Sequence, residues 1–283
     1  MEKSKRMAKA ATLLMALVIL FIPFGSVFAA APQLPLISNL QVVKNGTRNM
    51  MGSEGTYYVV EGDTNFLNGT ITNVGSSFTL AVRVRNRDTD TYIRKATARI
   101  SFNSKRDYFE LRELSHDRRL KGGQYSSEQN ALSEALRLDN LQPGYYSFSF
   151  AFSEWSSSWT TIYVRVLSSK IETFVRQAYG YMDSRYPSDY LTTVYKLQTK
   201  SISATDFLYY SLFSANWTKF SDMNRVNAIQ MIYTATMGSR CTSSRMNAYL
   251  SYSVGNGLFV TVQAIIYSRD FSERCEKLGI KFY

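Results

Sequence analysis

The hydrophobic period of this chain changes once, near residue 168, and that change limits its fold more than any other feature. Before it, apolar residues alternate. In Phe78-Thr79-Leu80-Ala81-Val82-Arg83-Val84-Arg85-Asn86-Arg87 the leading even positions are apolar, while Arg83, Arg85 and Arg87 take odd ones. A period of two puts these sets on opposite faces of a strand. The pattern returns in Ala98–Phe102, Tyr146–Phe152 and Ile162–Val166. Turn signals lie between the runs, at Lys44-Asn45-Gly46, Asp63-Thr64-Asn65, Asn68-Gly69 and Lys121-Gly122-Gly123. Half-buried strands with regular turns predict an antiparallel β-sandwich over residues 33–167. Ala131 to Leu138 fits either a short helix or another strand.

After a short link at Ser168-Ser169 the spacing becomes helical. Ile171, Phe174, Val175, Ala178 and Met182 form one stripe, and Val226, Ile229 and Tyr233 start another that Gly238 can stop. Ser203 with Asp206 three residues on resembles a capping box ahead of Phe207-Leu208. Phe271, Cys275 and Leu278 form a last stripe before Gly279. The expected fold class is therefore α+β and multidomain: an N-terminal antiparallel β-sandwich, then an all-α domain over residues 170–283.

Residues 1–29 read as a secretory signal peptide. Lys3, Lys5, Arg6 and Lys9 precede an uncharged run from Ala10 to Pro32, broken by Pro23 and Gly25, with Val27-Phe28-Ala29 as a cleavage site. The alternative is an uncleaved anchor, since the run is just long enough to span a bilayer. No second run of that length follows, so no transmembrane domain is expected after cleavage. The expected location is secreted, extracellular or in the cell envelope. The net charge of +11 falls to +8 once residues 1–29, with four basic residues and Glu2, are removed. Outside the cytoplasm, that charge reads first as a solvated basic face, and otherwise points to anionic surfaces such as teichoic acids, acidic polysaccharide or lipid headgroups rather than nucleic acid.

Within 170–283 two halves align at a constant offset of 54 residues. Val175 meets Ile229, Tyr179 meets Tyr233, Leu208 meets Val262, Leu212 meets Ile266 and Trp217 meets Phe271. This predicts two tandem repeats of about three helices each. The second copy, Tyr233-x3-Met237-Gly238, then Tyr249, then Tyr267-Ser268-Arg269-Asp270-Phe271, resembles domain-of-unknown-function family 4214. Asp270 stands where that family commonly has Glu, and Tyr249 where Trp is common. The resemblance implies a helical module of secreted or surface bacterial proteins, with no assigned activity. Leu141-Gln142-Pro143-Gly144-Tyr145-Tyr146 resembles the turn before the penultimate strand of bacterial immunoglobulin-like domains, with Tyr146 packing at the sheet corner.

The chemistry on offer is narrow. Two Cys and one His exclude a Cys/His zinc cluster and most histidine-based catalysis. His116 lies between Ser115 and Asp117, but a catalytic triad converges in space rather than along the chain. Asp88-Thr89-Asp90 and Glu61-Gly62-Asp63 are too few oxygens for calcium and suit turns. No metal and no cofactor is therefore expected. An even cysteine count in an exported chain favours a Cys241–Cys275 disulfide, the alternative being two thiols. The arginine stripe Arg83/Arg85/Arg87 and the Trp155/Trp159 loop are the expected ligand-binding residues, one anionic-polymer contact and one stacking surface. The expected function is non-catalytic recognition of a glycan or anionic cell-wall polymer. The alternative is a structural or anchoring module that binds a protein partner at the envelope.

Overall fold

The computed structural model describes residues 34–44, 47–48, 55–115, 126–153, 156–182 and 185–283. The signal segment, His116 and Trp155 lie outside these. The fold is α+β, with the strands in the N-terminal part and most of the helices C-terminal. The strands are β1 (Leu36–Lys44), β2 (Thr47–Arg48), β3 (Thr56–Val60), β4 (Asn65–Asn86), β5 (Thr91–Glu110), β6 (Gly144–Ala151) and β7 (Thr160–Leu167). Two short helices, α1 (Arg112–Ser115) and α2 (Ser127–Ala135), lie between β5 and β6.

All seven strands join one sheet, in the order β2-β1-β4-β6-β7-β3 with β5 on the far edge of β4. This corrects the expected sandwich, because the sheet curls into a barrel-like form. β4 is the reason. Its first half pairs with β1 and its second half with β6, while β5 follows nearly its whole length. Register shifts fall on either side of Gly75, and Asn73 and Gly75 both have positive φ. Bulges bend a strand without ending it, so β4 and β5 turn the corner that two separate layers would otherwise need. The sheet is also mixed: β3 pairs with β7 in parallel.

Alternation sorts the faces as expected. Leu80, Val82, Val84, Phe148, Phe150, Val164 and Val166 are buried in one core with Ile71, Ile100 and Phe109. Leu114, Leu132 and Leu136 close that core from outside β5. The open segment Ala131–Leu138 begins as helix, and Ser126 with Gln129 forms the capping box of α2. Asn68-Gly69 is not a turn but lies inside β4. A Cβ at Gly69 would sit 2.9 Å from Leu40 Cδ2, so glycine is there for close approach beside a bulge. Tyr146 is buried in this core and its hydroxyl donates to Gln142 O at 2.9 Å.

The helical part comprises α3 (Ser169–Tyr181), α4 (Tyr190–Gln198), α5 (Ala204–Asp206), α6 (Trp217–Ser221), α7 (Arg225–Met237), α8 (Ser243–Ile266) and α9 (Arg269–Leu278). A π-helical turn, Phe207–Phe213, and a 3-10 turn, Ser214–Asn216, connect α5 to α6. Among the described residues, no helix is long and apolar enough to cross a membrane. The expected stripe Ile171, Phe174, Val175, Ala178 and Met182 is buried, and Gly238 and Gly279 end α7 and α9 in the left-handed conformation.

The two tandem repeats are not present. α4 has 9 residues where its expected counterpart α8 has 24, and α8 alone is kinked at Gly257. Residues 207–213 form a π-helix, whereas the matching residues 261–267 are the last turns of α8 and its C-cap. The shared apolar register arises because both stretches face one common core, where Val175, Ile229, Leu208, Val262, Leu212 and Ile266 are all buried. That core takes in Tyr58 and Leu167 from the sheet, so the helices are seated on the β3–β7 edge. Gln198 fastens the seam, accepting from Ser168 N at 2.7 Å and donating to Val166 O at 3.1 Å.

Candidate functional site

Strand pairing assembles the outward face row by row. Arg83 lies opposite Lys95 on one side and Ser149 on the other, and Ser149 lies opposite Thr161. In the next row Arg85 lies between Tyr92 and Ser147, with Tyr163 beyond. Past the end of β4, Arg87 N donates to Tyr145 O, and Tyr145 pairs with Arg165. A period of two in four strands therefore makes one band of basic and aromatic side chains from residues far apart in sequence.

At the centre of this band Arg83 stacks on Trp159, with Cζ 4.2 Å from the ring centroid. The indole is held in turn by its Nε1, which donates to Ser156 O at 2.9 Å. Exposed Lys95 stands on the other side of a shallow depression of about 190 Å³, lined also by Ala81, Thr97 and Trp159. Stacking of a guanidinium on a ring fixes its plane. Lys95 Nζ lies 4.5 Å from the Tyr92 ring centroid and Arg85 Cζ 5.3 Å from it. Arg85 is also ion-paired with Asp90 across the β4–β5 turn.

The expected site is therefore assembled in part. Arg83 and Trp159 come together; Arg85 lies one row away; Arg87 is at the turn; Trp155 lies outside the described residues. Lys95, Tyr92, Tyr163 and Arg165 belong to the same face and were not read from the sequence. In β5 the signal was weak because Ile93 is an extra residue opposite the Val84/Arg85 step, which breaks the alternation, whereas Tyr163 and Arg165 stand at the odd positions of the alternating run Ile162–Val166. The turn carboxylates have protein partners: Asp88 accepts from Tyr145 N at 2.8 Å, and Asp90 pairs with Arg85.

A larger hollow, about 390 Å³, lies beside α3 and is lined by Glu172, Arg176, Gln177, Tyr181 and Tyr186. Its polar groups engage one another: Tyr190 donates to Glu172 Oε1 at 3.1 Å, and Arg176 lies 3.6 Å from the same oxygen. Burial, followed by the Glu172 charge, pushes the Tyr190 hydroxyl up to about 12.

The expected Cys241–Cys275 disulfide is absent, and both are free thiols. Cys275 points from α9 into the helical core and is fully buried, and burial pushes its thiol up to about 12. Cys241 is half-buried in the link before α8, beside Arg245 and Tyr249. The two side chains thus serve different surroundings.

No family model matches the chain, and no curated protein matches it. This overturns the resemblance to family 4214 and to the immunoglobulin-like domains, in line with the missing repeat and the single curled sheet. Among solved structures, a β-glucosidase from Listeria innocua in complex with gluconolactone is 12% identical with a TM-score of 0.25, over 47% of this chain and 16% of that one. The CARDB domain of a Pyrococcus furiosus protein in complex with di-metal ions is 11% identical with a TM-score of 0.20, over 48% of this chain and 90% of that one. Likeness at this level bears on neither fold nor activity.

Proposed function

We propose that the chain is a non-catalytic binding protein of the cell surface or envelope that recognises an anionic glycan or cell-wall polymer on the outward face of its sheet. The observation that carries this reading is the Arg83 guanidinium stacked on Trp159 beside Lys95. Two cations flank one depression, and an aromatic ring and the Ser149 and Thr161 hydroxyls lie close by. Such a surface suits an acidic polysaccharide, whose charges meet the cations and whose rings and hydroxyls meet the aromatic and polar side chains. A basic leader ahead of an apolar run supports export to where such polymers occur.

The test is co-sedimentation of residues 34–283 with acidic wall polymer and with neutral polysaccharide, at low and high salt. Binding to the acidic polymer that weakens with salt is expected. Charge reversal at Arg83 or Lys95 is expected to weaken it about tenfold, close to ~1.4 kcal/mol. Equal binding by wild type and both reversed variants removes this face from the function.

A further inference from the structure

We infer that Asn256 is a self-modifying site, converted to aspartate and isoaspartate through attack by its own neighbour, Gly257. Asn-Gly pairs occur in the chain at Asn45, Asn68 and Asn256, and the first of these lies outside the described residues. In such a pair the main-chain nitrogen of the glycine can reach the asparagine side chain, because no Cβ stands in the way. The bond from Gly257 N to Asn256 Cγ forms, the Cγ–Nδ2 bond breaks, and the displaced proton of Gly257 N leaves with Nδ2 as ammonia. Water, the co-reactant, then opens the five-membered imide. Cleavage between N and Cγ leaves aspartate. Cleavage between N and the main-chain carbonyl carbon of Asn256 leaves isoaspartate, whose main chain is one carbon longer.

The fold decides which pair reacts, since the peptide joining the two residues must turn before the ring can close. At Asn68 that peptide is held from both sides. Asn68 pairs with Gln41 of β1, and Gly69 O accepts from Leu111 N at 2.9 Å. Gly69 N, the attacking atom, donates to Asn68 Oδ1 at 2.9 Å, and Gly69 is buried against Leu40. At Asn256 the setting is the opposite. The side chain is exposed, and its Nδ2 donates to Tyr252 O at 3.1 Å in contact with solvent. Gly257 has φ 82° and ψ 163°, so α8 is already broken at this residue, and nothing lies within 4 Å of its Cβ position. The half of α8 that follows begins here, and its dipole favours negative charge, first on the deprotonating nitrogen and then on the new carboxylate. Residues 246–268 carry no charged side chain, so conversion puts a carboxylate inside an uncharged stretch, and isoaspartate also lengthens the main chain at the bend.

The test holds the full chain at mildly alkaline pH, quenches samples in acid at intervals, and maps their peptides by mass spectrometry, with aspartyl and isoaspartyl forms separated by chromatography. Asn256 is expected to convert at least about tenfold faster than Asn68, because turning the Asn68 peptide gives up strand hydrogen bonds. In concentrated urea the two rates should converge, since only the shared Asn-Gly context is then left. Asn256→Gln, whose longer side chain would have to close a six-membered ring, should stay intact at that position with an unchanged circular dichroism spectrum. Equal native rates at Asn256 and Asn68 overturn the inference. So does an Asn256 that stays intact in the native chain while it converts in urea, because α8 would then protect it.

Discussion

Gly238 and Gly279 offer a matched pair in which one backbone conformation meets two different surroundings. Both end a helix in the left-handed region, at φ 74° and 73°. Alanine in that conformation costs about 1–2 kcal/mol. Around Gly279 nothing lies within 4 Å of an added Cβ, so Gly279→Ala should cost only that amount. At Gly238 the added Cβ would lie 2.6 Å from Arg274 Nη2 and 2.9 Å from its Cζ. Arg274 cannot simply swing away without loss. Its Nη1 donates to Thr236 O near the end of α7, and its Cζ lies 5.0 Å from the Phe174 ring centroid. Giving up a charge-assisted hydrogen bond and a partly desolvated cation–π contact adds about 2–3 kcal/mol. Gly238→Ala is therefore expected to lose about 3–5 kcal/mol, a large share of what a domain commonly has. Urea unfolding followed by circular dichroism measures both variants. The cycle closes with Arg274→Ala: in that background Gly238→Ala should cost no more than Gly279→Ala does. Equal losses for the two glycine variants in the wild-type background would refute the role given to Arg274.

Tyr146→Phe removes the hydroxyl bonded to the Gln142 carbonyl and should lower stability by about 1–2 kcal/mol, read as a fall in thermal midpoint. An unchanged midpoint would show that water replaces the hydroxyl without loss. For Cys275, the folded thiol titrates at about 12 and an unfolded thiol at about 8.5. Below 8.5 both states hold the proton; above it the unfolded state releases its proton first, so stability falls as pH rises, by about 1.4 kcal/mol per pH unit toward 12. Cys275→Ala should remove that increment from the slope measured between pH 9 and 11, whatever its cavity does to absolute stability. In the native protein, iodoacetamide at pH 8 should modify Cys241 well before Cys275; equal rates would contradict the burial of Cys275.

What was legible in the sequence was local. Alternation gave the inner and outer faces because one buried side forces a period of two, and Gly238 and Gly279 marked helix ends because glycine takes positive φ at least cost. Ser203 was legible as a cap, and its side chain does accept from Asp206 N. The capping box of α2 stood in the sequence too, as Ser126 and Gln129, ahead of Ala131–Leu138. What was not legible was whatever depends on partners distant in the chain. A glycine in a strand pattern signals a turn, a bulge or a close approach alike. Only Leu40, arriving from another strand, decides among these for Gly69. The offset of 54 likewise recorded a real common environment, but a shared core constrains apolar spacing without making equal helices.

The same limit explains the site. Arg83 was visible because it alternates with apolar neighbours, whereas its setting is fixed by register in three other strands. A slip of one residue in β5 would turn Lys95 inward and leave Arg83 without its second cation. Register depends on the bulges at Ser38–Gln41, at Gly75 and between Val84 and Arg85, and each is a property of a strand pair, not of a segment. Charge then divides the face in a way that composition cannot. Arg85 has Asp90 across a tight turn, so part of the charge of this stripe is met within the chain itself. The helices seated at the β3–β7 edge add a further asymmetry. Arg165 lies 4.3 Å from the Tyr145 ring centroid and 4.6 Å from that of Tyr195, so its guanidinium joins sheet to helix. Cations on one sheet face thus differ in their work according to their row: Arg165, near the helices, joins the two parts of the molecule, while Arg83, farther along the sheet, holds the plane of the Trp159 ring.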